Sequence, residues 1–482
     1  MHSIGTNPDA TGFRVSGPSV FVFGVWLVMV AGALNFLSRF SVNVPYAEDG
    51  MLIPYVTGNE PFSWDFFWCQ YSNHVIPLPK LVLIFLTRLT HDFRTSMYVS
   101  VLACAVVALI LTGAAIRLRG RLSYSDAFFS LGLLHLGHWE SFLLGFAIQE
   151  VMACLLLSLI LLTILRIKSS LSHAQFCSLS SCLLLLPLTG GSGFLISPVL
   201  IGWLAYSIWI DRRLGRFASN TAFIFRVVLL IAASTTLLPY LLEPSQGVSW
   251  QGTPSRVDKI SIICSVFFQI LTLGFGSSAS TNWMPFLGGS RACYLVGSSI
   301  MGLAVLGLFQ FLRRDCSEDR LRKTGLIFFL LANLLVVAAI SYGRGAASAT
   351  IGMSPRYSLY SVPILWGLYF SWELYGTPIG RQLVPVGLFA FMCAMTSLNM
   401  NIGLACGQSR QVGMKAIERD ILRSEVPAID IASTHGRFVS SGHWVYYKLR
   451  KIGGEEHARF AEMVHMLREA NIPRQKIAPS PP

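Results

Sequence analysis

Residues 142–165 read FLLGFAIQEVMACLLLSLILLTIL, and Glu150 is the one charged residue among them. A run of this length and apolarity can cross the hydrocarbon core of a bilayer as a single α-helix. Arg166 and Lys168 follow it directly, as basic residues do at the cytoplasmic end of a transmembrane helix. The segment therefore predicts a transmembrane helix that carries an acid about two turns from its outer end.

The whole chain has the composition of a membrane protein. Of its 482 residues, 53% are hydrophobic and 13% are charged, which is about half the charged share of a soluble domain. This balance excludes a soluble enzyme, a disordered chain and a fibrous repeat. The net charge of +13 would suit nucleic acid if the chain were soluble, but here it indicates cytoplasmic loops that face anionic lipid. We therefore expect membrane lipids, and no nucleic acid, as partners.

Similar apolar runs recur along the chain and predict an all-α polytopic fold with about 11 transmembrane helices, within a range of 10–13. The predicted spans are 20–37, 96–116, 122–137, 142–165, 174–189, 194–210, 221–241, 292–312, 325–342, 357–375 and 382–402. Segment 260–276 is ambiguous. We expect it to enter and leave the membrane on one side, because an additional crossing would place the basic residues of 313–323 outside. A topology with 12 or more spans is the alternative.

Loop charges predict the orientation. Basic residues concentrate in alternate loops, among them 117–121, 212–216 and 313–323, whereas the loops between them hold few. This positive-inside pattern predicts a cytoplasmic N-terminus at 1–17 and a transmembrane domain at 18–406. A polar tail follows at 407–482. Eleven spans place this tail outside, and twelve place it in the cytoplasm, where a basic tail is more usual.

The first outer loop, residues 38–94, holds the first candidate site residues. Its aromatic run at 62–71 and its apolar segment at 78–89 are too short to cross and predict interfacial helices. Glu48 and Asp49 precede them, where the loop returns to the membrane surface. Adjacent acids in a wet loop are ordinary, but at this position they are candidates for a catalytic base or a metal ligand.

Other polar residues are predicted on the same outer face and are candidates for substrate binding. They are His74, His138, Glu140, Gln149 and Glu150. A loop histidine is more often structural or solvated, and an acid within a span either serves function or pairs with an arginine. Together with Glu48 and Asp49, these residues would line a cavity that opens to one side of the membrane.

Two arginines bracket one short outer loop rich in Gly, Ala and Ser. Arg344 precedes the loop and Arg356 follows it. Each either anchors its helix end by reaching into the interface or holds phosphate through the planar fork of its guanidinium. Both interpretations are open from the sequence.

Several motifs, together with this architecture, resemble the GT-C glycosyltransferases, which are polytopic enzymes that use lipid-phosphate-linked sugars as donors. The motifs are Glu48-Asp49-Gly50, Asn73 to Pro79, Gly145-Phe146 with Gln149, and Gly343-Arg344 followed by Pro355-Arg356-Tyr357. They resemble most closely a bacterial group of GT-C-like membrane proteins, which implies a bacterial inner (cytoplasmic) membrane. The resemblance covers about residues 18–402.

The resemblance implies that an acid of the first outer loop acts as catalytic base or metal ligand. This role falls on Asp49, with Glu48 as the alternative, because many family members have Asp-Glu where this chain has Glu-Asp. It also implies a polyprenyl-phosphate-linked sugar donor whose phosphate is held by Arg344 or Arg356. A divalent cation, Mg²⁺ or Mn²⁺, bound at Asp49 is a candidate cofactor.

Three functions therefore compete. The first is inverting transfer of a sugar to a lipid, glycan or protein acceptor on the outer face of the membrane. The second is a transporter or flippase of a lipid-linked or anionic substrate, which predicts polar residues at the midplane and repeated halves. Because Glu150 is the one clear acid within a span and no repeat is visible, we rank it below the first. A non-enzymatic membrane scaffold is the third.

Overall fold

The computed structural model describes residues 16–69, 75–217, 219–242, 255–281, 289–313, 319–439 and 456–472. Throughout these residues the chain forms helices and connecting loops, with no β-strand. Eight of the helices are long and apolar enough to cross a membrane. The prediction of an all-α polytopic membrane protein is confirmed.

The α-helices of the described residues are numbered here in chain order. They are α1 (Gly17–Phe40), α2 (Ile53–Thr57), α3 (Trp64–Trp68), α4 (Pro77–Thr90), α5 (Arg94–Arg119), α6 (Ala127–Leu134), α7 (Trp139–Phe142), α8 (Ile148–Leu165), α9 (His173–Leu185), α10 (Gly191–Arg213), α11 (Asn220–Thr235), α12 (Leu238–Leu242), α13 (Arg256–Thr272), α14 (Ser278–Thr281), α15 (Gly289–Arg313), α16 (Arg320–Gly345), α17 (Ser358–Tyr375), α18 (Pro378–Leu422), α19 (Ala428–Val439) and α20 (Glu456–Glu469).

The eight long apolar helices account for most of the predicted spans. They are Gly17–Phe40, Arg94–Arg119, Gly145–Leu165, Gly191–Arg213, Arg256–Phe275, Arg291–Arg313, Arg320–Gly345 and Pro378–Leu422. The predicted spans at 174–189 and 221–241 correspond to shorter apolar helices, His173–Thr189 and Asn220–Thr235. The span predicted at 357–375 is α17, which is buried along most of its length by its neighbours.

The predicted span at 122–137 is interrupted. Helix α6 ends at Leu134 because His135 adopts an extended conformation, with φ −70° and ψ 150°, and its ring accepts a hydrogen bond from the Gly137 amide at 3.0 Å. A side chain that bonds the nearby backbone competes with the helix in this way. The chain then passes through short turns to α7, which places Glu140 beside the candidate site instead of at the end of a straight helix.

The ambiguous segment 260–276 forms α13 and a following 3-10 turn, Leu273–Phe275, which together are long enough for a crossing. Near the end of α13, the Gln269 amide donates to the Ala349 carbonyl at 2.9 Å. The Thr272 hydroxyl donates to the Cys293 carbonyl in α15 at 3.1 Å. The end of α13 therefore lies at the face that carries the loop between α16 and α17.

The last long helix, α18, extends well beyond the predicted span 382–402. Its 45 residues correspond to about 67 Å, roughly twice the thickness of a hydrocarbon core. Gly407, where the composition becomes polar, lies within this helix and packs against α1. A Cβ at Gly407 would lie 2.6 Å from the Phe36 ring. Polar residues that favour helix formation continue α18, because a helix outside the bilayer does not need apolar side chains on every face.

The polar tail folds back onto the first outer loop. Val44 and Ile53 of this loop share a buried cluster with Ile417 of α18 and Val464 of α20. Arg468 fixes the turn after α18, where it donates to the carbonyls of Ile421 at 2.8 Å, Arg423 at 2.6 Å and Val426 at 2.8 Å. The ends of α1 and α18 thus lie on one face, which is where an 11-span topology places the tail.

Within the first outer loop, helices α3 and α4 lie where interfacial helices are predicted. Helix α4 has 14 residues and is too short to cross. Leu81, Phe85 and Leu89 follow one face at a spacing of four and are 46%, 63% and 69% exposed. Lys80 is fully buried and donates to the Phe66 carbonyl at 2.7 Å, which ties α4 to the end of α3. One apolar face is thus left open for lipid.

Ion pairs join the helices at the opposite end of the molecule. Arg119 at the end of α5 pairs with the buried Asp126 and with Glu373 of α17, the latter at 3.1 Å. Arg226 of α11 pairs with Asp211 of α10 at 2.9 Å. Several of the arginines and acids at the predicted cytoplasmic end therefore fix helix positions, and the candidate site lies about the length of α5 away from them.

This packing predicts from which side of the membrane each position is accessible to a chemical label. Single cysteines at Glu60, Ser348 and Glu469 should react with an impermeant maleimide added outside intact cells, and cysteines at Gly120 and Arg213 should react after lysis only. A protected cysteine at Glu60 would contradict the orientation. Opposite accessibility of Glu60 and Glu469 would contradict the packing of the tail on the first outer loop.

Candidate functional site

The acids Glu48 and Asp49 lie in a 3-10 turn, Ala47–Leu52, just after the first span. The turn begins with Ala47 at φ 49°, a conformation that costs energy in a residue with a Cβ. The Tyr46 amide donates to Asp49 Oδ2 at 3.4 Å and closes the turn. As a result the Asp49 side chain points into the protein, where it is 1% exposed, and the Glu48 side chain stays 15% exposed.

Asp49 occupies a tight socket beside the start of α8. A Cβ at Gly145 would lie 3.0 Å from Asp49 Oδ1 and 2.7 Å from Ser96 Oγ, so only glycine leaves room there. Asp49 Oδ1 has no partner with good hydrogen-bond geometry among the described residues, although the Gly145 amide is close enough to interact with the carboxyl group. Burial is the main reason that the pKa of Asp49 is raised to about 7; the charge of Glu48 adds to the rise, and the amides of Tyr46 and Gly145 and the charge of Arg410 oppose it. A carboxyl group with such a pKa gains and loses its proton near neutral pH.

Arg356 is a cation that faces Glu48. The short turn Pro355–Tyr357 places its guanidinium 3.9 Å from Glu48 Oε1. Its backbone amide donates to Glu140 Oε2 at 3.3 Å, and the Ser354 hydroxyl donates to the same oxygen at 3.2 Å. Glu140 therefore orients the turn that carries Arg356, and both glutamates interact electrostatically with its guanidinium.

Glu150 forms the inner wall of the same cluster. It lies near the start of α8 and is 7% exposed. Its Oε1 accepts from the Tyr360 hydroxyl at 3.1 Å and from the Gln149 amide at 3.2 Å. Its charge interacts with those of Arg356 and Glu48. Glu150 thus joins the acids of the first outer loop through Arg356, although it belongs to a predicted span.

Several buried polar atoms in this cluster have no hydrogen-bond partner among the described residues. They are Asp49 Oδ1, Trp139 Nε1, Glu150 Oε2, Arg356 Nε and the Tyr357 hydroxyl. A buried polar group without a partner costs about 1–3 kcal/mol, so native proteins keep few of them. Such atoms also occur elsewhere in the bundle, but those of Glu150, Arg356 and Tyr357 belong to side chains that interact with one another, where a polar ligand or ordered water can complete the hydrogen bonds.

The other predicted site residues lie elsewhere. His138 is fully buried and both of its ring nitrogens are occupied, Nδ1 by the Ser358 hydroxyl at 2.6 Å and Nε2 by the Gly132 carbonyl at 2.8 Å. The structure therefore gives it a packing position outside the carboxylate cluster. Arg344, at the end of α16, interacts electrostatically with Tyr360 and lies at the rim. His74 lies outside the described residues.

The predicted metal at Asp49 remains a prediction. Among the described residues, no group of three or more His, Cys, Asp or Glu side chains has the geometry to hold a metal ion. Asp49 and Glu48 point in different directions from their turn, one into the socket and one toward Arg356. A cation at Asp49 would therefore take its remaining ligands from substrate or water.

No protein-family model matches the chain, and no curated protein matches it significantly. The resemblance to GT-C enzymes thus stays a prediction from short motifs. The contacts described above are therefore the basis for the roles proposed below for the site residues.

Two residues of the cluster were not predicted from the sequence. Tyr360 follows Arg356 by one helical turn, and its side chain reaches Glu150 in another helix. Arg410 lies in the polar part of α18, where its guanidinium stacks on the Tyr46 ring at 3.8 Å. Tyr360 could have been found from its place one turn after a candidate arginine. Arg410 is one of many basic residues in the tail, and no local pattern distinguishes it.

Proposed function

We propose that the protein is a membrane glycosyltransferase that moves a sugar from a polyprenyl-phosphate donor to an acceptor hydroxyl on the outer face of the membrane. The observation that supports this most is Asp49. It is a buried carboxyl group with a pKa of about 7 and an unoccupied oxygen, in a cluster that also contains an arginine. A general base and a cation for a leaving phosphate are the groups that such a transfer needs.

In the proposed reaction, ionised Asp49 accepts the proton of the acceptor hydroxyl. The acceptor oxygen forms a bond to the anomeric carbon while the bond from this carbon to the phosphate oxygen breaks, which inverts the configuration. The polyprenyl phosphate leaves with the bonding electron pair, and Arg356 stabilises its developing charge. The free oxygens of Asp49 and Glu150 and the Tyr357 hydroxyl would bind hydroxyl groups of sugar and acceptor.

The surroundings of the site suit a substrate that stays in the membrane. Helix α4 follows the loop that carries Glu48 and Asp49, and its face of Leu81, Phe85 and Leu89 is exposed. Lipid in contact with this face would lie at the depth of an interfacial helix. A lipid-linked donor could therefore keep its chain in the bilayer while its head group reaches the acids.

Glu150 is the observation that favours the second candidate, a transporter or flippase of a lipid-linked or anionic substrate. A buried acid near the end of a span, with one unoccupied oxygen, is also typical of residues along a transport pathway. The two functions differ in products. A transferase makes a new glycosidic bond, whereas a flippase moves an unchanged lipid between leaflets.

The test uses the full chain purified into lipid nanodiscs. Mass spectrometry of the co-purified lipids should detect a polyprenyl phosphate. Polyprenyl-phosphate sugars with a radiolabelled sugar should then lose the label to an acceptor in the presence of membrane extract, with Asp49→Asn as the inactive control. Unchanged donor that crosses between leaflets in proteoliposomes would favour the flippase and refute the transferase.

The proposed base predicts the pH dependence of transfer. Because the base must be ionised, kcat/KM should rise about tenfold per pH unit below the pKa of about 7 and level off above about pH 8. The Glu48 charge raises this pKa, so Glu48→Gln should move the midpoint to lower pH. The measurement is initial rate against pH for both proteins. A flat profile in the wild type would exclude Asp49 as the base.

A further inference from the structure

We infer that Arg410 is a positioning residue for Asp49, so that the polar extension of α18 forms part of the catalytic unit. This inference rests on the proposed function for its consequence in activity, but its geometry is independent of the reaction. It assigns a role to the part of the chain after Gly407, for which the sequence predicts a polar tail. It also explains why a partly buried cation lies there.

Arg410 contacts both segments that form the Asp49 socket. Its Nη2 donates to the Leu143 carbonyl at 2.6 Å, two residues before Gly145. The same guanidinium stacks on the Tyr46 ring, with 3.8 Å between Cζ and the ring centroid. Tyr46 in turn donates its amide to Asp49. One planar group therefore holds the loop before Asp49 against the turn before α8, a geometry that suits arginine and not lysine.

The turn at Asp49 needs such support. Ala47 holds a positive φ of 49°, which a residue with a Cβ keeps only where the surrounding structure enforces it. The socket on the other side depends on close approach at Gly145. If the two segments separated, Ala47 could relax to an ordinary conformation, and the carboxyl group of Asp49 would turn away from the substrate.

The rest of the extension supports this contact. Met414, Ile417 and Ile421 of α18 share a buried cluster with Ala47 and Phe146, which flank the two segments. Arg468 donates to the carbonyls of Ile421, in the last turn of α18, and Arg423, just after it, and so fixes the end of the helix. The packing of α18 thus fixes the position of Arg410, and the contacts of Arg410 then fix the position of the loop that carries Asp49.

The closing experiment is a double-mutant cycle on transfer by the full chain. Arg410→Gln and Tyr46→Leu should each lower kcat by about tenfold to a hundredfold, the effect of a displaced catalytic group, while KM for the donor stays near the wild-type value. The double variant should lose no more activity than the less active of the two single variants, because both changes remove the same contact. Arg410→Lys should not restore kcat, since lysine keeps the charge but loses the planar stack. Tyr46→Phe keeps the ring and should be near wild type.

Arg419→Gln is the matched control. Arg419 lies further along the same helix, is exposed, and pairs with its neighbour Asp420, so it should leave kcat unchanged. Hydrogen exchange of the amides at 44–50 gives a readout that needs no substrate. Exchange there should accelerate in Arg410→Gln and Tyr46→Leu, and not in Arg419→Gln.

Each outcome separates the two claims. If the wild type transfers no sugar but exchange at 44–50 accelerates in Arg410→Gln, the proposed function fails and the positioning role stands. If Arg410→Gln keeps wild-type kcat and wild-type exchange, the positioning role is refuted. Full rescue by Arg410→Lys would also refute it, because charge alone would then suffice. If the losses in kcat of the two single variants multiply in the double variant, the two residues act separately, and the shared contact is refuted.

Discussion

Asp49→Asn should lower sugar transfer by at least about a hundredfold, the lower end of what a positioned general base contributes. Asparagine keeps the size of the side chain, and its amide fits the socket beside Gly145. It lacks the negative charge and the basic lone pair, so it cannot take the acceptor proton. The measurement is single-turnover transfer by the purified variant at pH 8, where wild-type Asp49 is ionised.

The same substitution should not destabilise the protein. The sequence alone suggested an exposed loop residue with little folding energy, but Asp49 is buried. Its folded-state pKa of about 7 lies above the ordinary value of 3.8, so its contribution to stability is full below about pH 4 and is lost as the pH rises through 7. Asparagine stays neutral throughout. The thermal stability of Asp49→Asn relative to wild type should therefore improve between about pH 4 and pH 7 and stay level above that.

Glu48→Gln is the control for this prediction and should cause the smaller loss. Glu48 is more exposed and faces Arg356, not the socket. If Glu48→Gln abolishes transfer while Asp49→Asn does not, the two acids exchange roles and the site survives. Full activity in both variants would refute the proposed mechanism.

Arg356→Ala should lower kcat/KM for a lipid-phosphate donor by about a hundredfold, the effect of removing one group that stabilises a developing negative charge. Two further effects add to this loss. Glu48 loses the cation that it faces, and the cluster of acids would repel the donor phosphate more strongly. Arg356→Lys should recover part of the activity, since lysine keeps the charge but not the planar fork.

Arg344→Ala is the matched comparison. Arg344 lies at the other end of the same outer loop, at the rim of the cluster, and should have the smaller effect on the donor. The measurement is transfer rate against donor concentration for the three variants. A larger loss in Arg344→Ala than in Arg356→Ala would move the phosphate site to the rim. Normal donor use in both alanine variants would show that the two arginines only anchor the loop.

The sequence by itself determined the class of the protein. Apolar runs such as 142–165 can satisfy their backbone hydrogen bonds in lipid only as helices, so composition and run length were enough to predict an all-α polytopic fold. The positions of Glu48, Asp49, Glu140, Glu150 and Arg356 were also visible, because charged residues at the ends of apolar runs are conspicuous. That local signal does not depend on how the helices pack.

The tertiary structure alone decided how these residues combine. Whether Arg344 or Arg356 faces the acids depends on the direction of a short turn, and whether Asp49 is exposed depends on an alanine with positive φ. The sequence predicted the apolar span at 382–402 but not the continuation of α18 to Leu422, because composition reports the surroundings of a helix and not its length. Arg410 lies far along the chain from Asp49, and only the packing of α18 on the first outer loop brings the two together. Contacts between distant segments depend on the geometry of the whole bundle, which no local pattern of residues records.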